Sequence, residues 1–459
     1  MQRRLMLAAL AAMLPQTPLP AATFAVDTTT DSVDAQPGDG LCADALQRCS
    51  LRAAIQESNA LAGDDAIDLG SGDFALTIAG RQENLAASGD LDVTAPLTLT
   101  GAGANATFID GNALDRVFDV AANATLRLRQ VHVGGGFQSA LSNFGPETSG
   151  GGLLIRAGAA AELTDVTFEA NRSRRLGQAV AVFGALSGRR VTLAHNIGKE
   201  SFTAGGGLYV GDTATAVDLA DCVFDGNQSH SGGGIHADGA ATQIALQRCL
   251  LVGNLAHSGG AILANLGSSD WLLRNVTLSG NIADAGGALF GDGGHQLRFV
   301  HATITDNHAT GPNGGGAIFD VRGSANANFI PVELVNTLVS GNTQAFGREC
   351  NTVFPDVIVS GGGALHAPGD ACRLRAGPGD IATDDAGLAP LADNGGLTRT
   401  HALQAGSIAI DAGLDGACAD ADQRGRPRPV DGNGDGLAAC DIGAFERDDA
   451  LFADGFESR

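Results

Sequence analysis

Residues 246–262 read LQRCLLVGNLAHSGGAI, and the spacing inside this stretch decides the architecture. Leu246, Cys249, Leu251 and Asn254 follow the pattern L-x-x-[VC]-x-[FL]-x-x-N, and Gly259, Gly260 and the aliphatic Ile262 come next. The same anchor runs through Asn171, Asn196, Asn227, Asn254, Asn281, Asn307 and Asn342, at intervals of 25, 31, 27, 27, 26 and 35 residues. Apolar residues alternate with period two at Ile244/Leu246, at Cys249/Leu251 and at Leu297/Phe299, the period of a strand and not of a helix. A phase shift between two such runs bends the chain, and the Gly-Gly-x-aliphatic segment supplies a third strand. Glycine at the corners admits positive φ and close backbone approach. Three short strands in every ~27 residues, kept in register, make one coil of a right-handed parallel β-helix. Roughly ten coils at a strand spacing of ~4.8 Å give a rod about 50 Å long.

The register turns letters into columns. The anchoring Asn residues form a ladder of side-chain amides. Six positions earlier stand Asp165, Arg190, Asp221, Arg248, Asn275, His301 and Asn336, a column in which opposite charges on adjacent coils attract. Five positions earlier come Val166, Val191, Cys222, Cys249, Val276 and Ala302, which face inward. Cys222 and Cys249 are thus neighbours on successive rungs, and both a bridge and a pair of buried thiols fit that placement. The other six cysteines pair most simply as Cys42–Cys49, Cys350–Cys372 and Cys418–Cys440.

These repeats resemble the FxxN and GGA[ILV] repeats of the polymorphic outer-membrane proteins, a group of surface adhesins, over residues 150–365. No C-terminal membrane barrel follows them here. At the front, Cys49-Ser50-Leu51-Arg52-Ala53-Ala54-Ile55 resembles the CSLREA domain of exported β-helix proteins, with Ala53 where that pattern has Glu. Ser50 is a good N-cap for a short helix through about Asn59 that covers a first coil beginning near Ala66–Leu69. At the back, Pro390–Gly413 and Asp422–Glu446 resemble the choice-of-anchor Q domain, a module that precedes surface-sorting signals. The expected layout is a signal peptide over 1–22, a cap over 23–64, the β-helix over 65–370, the C-terminal module over 371–447 and a tail over 448–459.

Arg3 and Arg4, the apolar run Leu5–Leu14, and small residues to about Ala22 have the form of a secretory leader. No later segment reaches the ~18 apolar residues of a membrane span, so a secreted or surface-displayed product is expected. The 459 residues carry 28 Lys plus Arg against 51 Asp plus Glu, a net charge of −23. That field excludes nucleic acid and anionic membranes as general partners. It also repels a uronate polymer, unless a cation or a local basic patch intervenes. Apolar residues at 44% argue for a packed core despite 66 glycines.

Several clusters invite chemistry. Asp431, Asn433 and Asp435 have the D-x-N-x-D-G spacing of an oxygen cage for Ca2+, although Ile442 stands where an EF-hand has Glu. Asp27, Asp31, Asp34 and Asp39 read as a polar, flexible lead-in or a second cation site. Arg172, Arg174, Arg175, Arg189 and Arg190, with Lys199, form the one basic concentration. It is a candidate anion- or polysaccharide-binding patch, or surface charge paired with Asp165, Glu169 and Asp221. β-Helix polysaccharide lyases place an Arg or Lys base beside acidic Ca2+ ligands; no three Asp on successive coils join this patch. His230 and His257 are expected to stack, and His236 to be a neutral surface residue. Asp225 and Asp238 do not identify a hydrolase pair. The sequence therefore favours an adhesin-like rod for a polysaccharide or a cell-surface or matrix ligand. Its alternative is an extracellular polysaccharide lyase or glycoside hydrolase.

Overall fold

The computed structural model describes residues 21–448 except 82, 140–144, 199, 239–241, 266–268, 293–294, 313, 322–330, 346–348, 353–356 and 370–371. The expected leader, Lys199 and most of the tail lie outside these residues. The chain is a right-handed parallel β-helix with one short α-helix. A representative coil runs through strand Ala216–Ala220, a corner at Asp221, strand Val223–Asp225, Asn227, and strand Ile235–Ala237. It pairs in parallel with the next coil at Ala216↔Gln243, Val223↔Leu250 and Ile235↔Ile262. The first two strands of all coils join a broad 21-stranded sheet. Among the described residues the third strands form a ten-stranded sheet from Leu91–Val93 to Cys350–Thr352, in line with the roughly ten coils expected. No helix among the described residues is long and apolar enough to cross a membrane.

The core is the inside of the coil. Val217, Leu219, Phe224 and Ile235 point inward together with their counterparts above and below, and Phe118, Phe168, Phe299 and Trp271 fill the centre. Each Asn anchor is fully or nearly fully buried, and each after Asn171 accepts from the backbone N–H of the preceding anchor, as in Asn227 N to Asn254 Oδ1 at 3.0 Å. Its own amide donates back to the coil before, Asn254 Nδ2 to Phe224 O at 2.9 Å. The ladder ends on Glu349, whose Oε1 accepts from Asn342 N at 3.1 Å.

The charged column has a backbone cause. Asp165, Arg190, Asp221, Arg248, Asn275, His301 and Asn336 all have φ between 45° and 56°, so each is the left-handed residue that turns the first strand into the second. Asn, Asp and His tolerate that conformation best among residues with a Cβ. The Arg members gain from the neighbouring carboxylate: Arg248 meets Asp221 at 2.6 Å, and Arg190 meets Asp165 at 2.8 Å.

The N-terminal cap is tighter than its composition suggests. Ser50 Oγ accepts from Ala53 N at 3.0 Å and starts the helix Leu51–Ala60. A strand, Thr23–Ala25, pairs with Asp65–Asp68, so the stack begins one strand before the coil expected to open it. Three carboxylates of the acidic lead-in make bonds within the cap, while Asp39 stays exposed. Asp27 accepts from Cys49 N, Asp34 from Ala43 N, and Asp31 pairs at 2.7 Å with the fully buried Arg52. All four cysteine pairs are bridged, Cys222–Cys249 included, at a Cα separation of 4.5 Å.

Downstream, the chain folds back along the outside of the broad sheet. Thr277 Oγ1 donates to Gln423 Oε1 at 2.6 Å, Ser279 Oγ meets His401 Nε2 at 2.9 Å, and Ala444 N donates to Thr303 Oγ1 at 3.0 Å. Leu338, Leu365, Leu403, Ile410, Ile442 and Phe445 build a second core between this segment and the helix.

Candidate functional site

The third strands place their middle residues on the outer face, because side chains alternate along a strand. In most coils that position is apolar or aromatic, as at Leu154, Ala181 and Tyr209. In the two earliest it is Asp92 and Asp119, paired in register. Asp90 precedes the first of these strands, and Asp115 and Arg116 precede the second. Asp90, Asp115, Arg116 and Asp119 line a cavity of about 270 Å³ whose wall also includes Gln138, Glu147 and Arg156.

Carboxylate oxygens of Asp90, Asp92 and Asp119 lie within 4.8 Å of one another, and all three residues are buried. Arg116 Nε meets Asp90 at 2.9 Å. Arg156 grips Asp119 with two bonds of 2.7 Å and also pairs with Glu147. Among the described residues the Asp92 carboxylate accepts one hydrogen bond, from Ala86 N at 2.8 Å. Four buried acids thus face two guanidinium groups. Desolvation opposes ionisation, and Asp92, Asp115 and Asp119 add repulsion at Asp90, which is pushed up to about 8 despite Arg116. Burial and Asp119 push Asp92 up to about 7, and burial also raises Asp115. Near neutral pH the pocket therefore offers carboxylic acids that still hold a proton beside Asp119, which is clamped by Arg156. That is the equipment of general acid–base catalysis.

Sequence reasoning missed this site. The LDV of 91–93 and the FDV of 118–120 carry Asp in the same place of two strands, but no Asn anchor marks these coils and their register was not read. This Asp cluster lies on two adjacent coils, Asp90 and Asp92 with Asp119, and neighbours the Arg patch. Phe137 and Gln138 pair in parallel with Arg172 and Ser173. Gln138 Nε2 donates to Asp115 Oδ1 at 3.3 Å, and Phe137 N donates to Asp115 O at 2.8 Å.

The patch itself divides. Arg172 and Arg174 both lie over the Phe137 ring, at 5.0 and 5.9 Å, and Arg175 lies over Phe202 at 5.7 Å. Arg189 sits instead on the broad sheet, in a shallow depression with Glu162 and Asp218. Arg190 takes Asp165, Arg248 takes Asp221, and Glu169 lies against His132 and His195. Of the carboxylates expected to neutralise the patch, Asp165 does hold one member, Arg190, whereas Asp221 and Glu169 are taken by Arg248 and by the two histidines; Arg172 and Arg174 rest on an aromatic face.

His230 and His257 stack with centroids 4.9 Å apart and planes at 8°. With Asp284 and Glu200 they line an open groove. His236 is not a surface residue: it is buried, and its Nε2 lies 2.8 Å from Asp238. Burial opposes ionisation of Asp238, but bonds from His236, Tyr209 and Asn265 hold it well below the carboxylate range. Asp225 is exposed to the C-terminal segment and meets Arg399 at 3.4 Å. Asp431, Asn433 and Asp435 sit together in one exposed loop. Asp431 caps the N–H groups of Gly434 and Gly436, Asn433 caps Asp435, and Asp435 caps Leu437.

Comparison with known proteins follows this geometry. The repeat of the Chlamydia polymorphic membrane protein family matches residues 221–238, one coil of the stack. Comparison with curated proteins yields no match. Among solved structures, the chain is similar to the pectate lyase Pel9A at 14% identity and a TM-score of 0.51, covering 93% of this chain and 96% of that one. It is also similar to the catalytic unit of a thermostable GH87 α-1,3-glucanase from Streptomyces thermodiastaticus strain HF3-3. There the identity is 14% over 80% of this chain and 70% of that one, with a TM-score of 0.32. At these identities the likeness speaks to the fold alone.

Proposed function

We propose that this chain is an extracellular glycoside hydrolase of the β-helix fold, acting at the acid pocket of its first coils. The observation that carries the reading is the set of Asp90, Asp92 and Asp119 oxygens within 4.8 Å, with Asp90 and Asp92 shifted towards the protonated form. Asp90, which lines the cavity, donates the proton to the leaving oxygen, and Asp119, also on the cavity wall, supplies the second carboxyl group. Carboxyl oxygens within 4.8 Å of one another are closer than the roughly 6.5–9.5 Å that an inverting pair needs to admit water. A cavity of about 270 Å³ is small for a binding site and takes about one sugar ring, so the rest of a polymer lies along the outside of the coils.

Elimination fits less well. A lyase base must give up its proton, whereas Arg156 is held more firmly protonated, first by Glu147 and also by Asp119. The pectate lyase likeness supports a carbohydrate-active reading of this fold without deciding the reaction. Four disulfides suit an oxidising, extracellular setting. The CSLREA-like front and the choice-of-anchor-Q-like back belong to the same reading, as cap and surface-attachment module. Calcium is assigned to the loop of Asp431, Asn433 and Asp435 in a stiffening role. Calorimetric titration with Ca2+ should saturate in the intact chain and fail in Asp431→Ala.

The test is incubation of the secreted protein with a panel of neutral and acidic polysaccharides, reading new reducing ends and unsaturated-product absorbance separately. Reducing ends without absorbance, lost in Asp119→Asn, are the expected result. Absorbance at the chain ends would replace hydrolysis by elimination. No product from any polymer would return the chain to an adhesin-like binding role.

A further inference from the structure

Beside the pocket runs a ridge formed by the turns between the second and third strands. Arg172 opens the two-residue strand Arg172–Ser173, and Arg174 follows the buried Ser173. Both guanidinium groups lie over one phenyl ring, that of Phe137. Among the described residues neither has a carboxylate partner, although the chain carries a net charge of −23 and many of its arginines are paired. A guanidinium stacked on a ring keeps its planar edge of N–H donors free and held in a fixed direction. Two such forks side by side match a carboxylate geometrically as well as by charge.

The location adds a function to the chemistry. Arg174 N donates to Gln138 O at 3.0 Å, and the Gln138 side chain is part of the cavity wall. An anionic group seated on the arginines is therefore adjacent to the mouth of the acid pocket. We infer that Arg172 and Arg174 on Phe137 form a subsite for an acidic sugar, one whose carboxylate is held on the ridge while the neighbouring ring enters the cavity. This rests on the hydrolase reading of the pocket and names its substrate class, a uronate-bearing polysaccharide. It also supplies the local basic patch that such a polymer needs to approach so acidic a protein.

The test is affinity electrophoresis of the intact protein in gels containing alginate, polygalacturonate, dextran sulfate or neutral dextran, alongside the reducing-end assay. Retardation by a uronate polymer and not by dextran is expected. The double variant Arg172→Gln/Arg174→Gln should bind at least about tenfold more weakly, the loss of charge-assisted hydrogen bonds. The pair Arg129→Gln/Arg189→Gln removes the same charge from exposed positions on the broad sheet and should stay within about twofold of the parent. Equal losses in the two double variants, equal retardation by neutral dextran, or no retardation by either uronate polymer would each overturn the subsite. Retardation by dextran sulfate alone would overturn the carboxylate assignment. The two readings fail separately. Uronate binding that needs Arg172 and Arg174 but releases no reducing ends removes the hydrolase and leaves the subsite. Cleavage of a neutral polymer, unchanged in the double variant, removes the subsite and leaves the hydrolase.

Discussion

Asp92 and Asp119 occupy equivalent positions on adjacent parallel strands and turn their carboxyl groups to the same buried side. Burial opposes ionisation of Asp92, and the neighbouring Asp119 adds to that cost. Two guanidinium groups offset part of the charge. Protons must supply the remainder.

This arrangement fixes the sign of a stability change with pH. Asp92 is raised from its ordinary 3.8 to about 7 in the fold. Between those values the folded chain binds more protons than the unfolded one, so stability falls as pH rises through that window and then levels off. Asp92→Asn keeps an acceptor for Ala86 N and removes the titration. The variant should exceed the parent by on the order of 2–4 kcal/mol near pH 8.5 and match it near pH 4, as read by thermal unfolding. A difference that is the same at both pH values would mean that Asp92 is already ionised in the fold.

The Asn ladder predicts a loss that spreads along the rod. Asn254 Oδ1 accepts from both nitrogens of Asn227, while its Nδ2 donates to Phe224 O and Asn281 Oδ1. Asn254→Ala strands several of these groups in the core, each at a cost of about 1–3 kcal/mol. A total loss of about 3–5 kcal/mol is expected, since partial relaxation returns some of it. Hydrogen exchange should accelerate in the coils holding Asn227 and Asn281 and stay unchanged over 91–134, because each coil contacts only its neighbours. Uniform acceleration over the whole chain would contradict that locality.

The ladder and the acid pocket also mark what the sequence could and could not convey. Asn254 was legible because seven coils repeat its letter at nearly constant spacing, and a repeated letter in a stacked fold is a column. The charged corners were legible as a column too, although their cause, a φ near +50° shared by Asp165, Arg248 and Asn336, is a backbone property that no spacing displays. Asp92 and Asp119 were not legible, since their coils lack the Asn anchor that sets the register. The separation of Arg189 from Arg172 was hidden for a related reason: a turn at Gly177 and the strand Val180–Val182 lie between them and put residues close in number on two faces. The stacking of Arg172 and Arg174 on Phe137 joins residues 35 and 37 positions apart, across a coil of irregular length.

Acidification should loosen the returning C-terminal segment before the rod. His401 is buried where that segment meets the broad sheet. Its Nδ1 lies 2.8 Å from Ala389 O and its Nε2 2.9 Å from Ser279 Oγ, a pattern met by the neutral ring donating at Nδ1 and accepting at Nε2. Burial lowers its pKa, only partly opposed by Ala389 O and Asp306. His301, on the same face, is pushed down to about 3 by burial and by Arg428, and its Nε2 faces Ala419 N. For both, the unfolded ring takes up a proton at about pH 6.5 while the folded ring resists, so stability is lost as pH falls below that value. This is opposite in sign to the acid pocket and to Asp441 in the same segment, which burial raises to about 7, so the share of the histidines is the difference between the parent and His401→Gln. Limited proteolysis should therefore cut within 386–447 faster at about pH 5 than at about pH 7.5, with the coils intact. His401→Gln, which can still donate and accept but does not titrate, should reduce the acid response. Cleavage that is independent of pH, or that begins in the coils, would show that the buried histidines do not hold this segment.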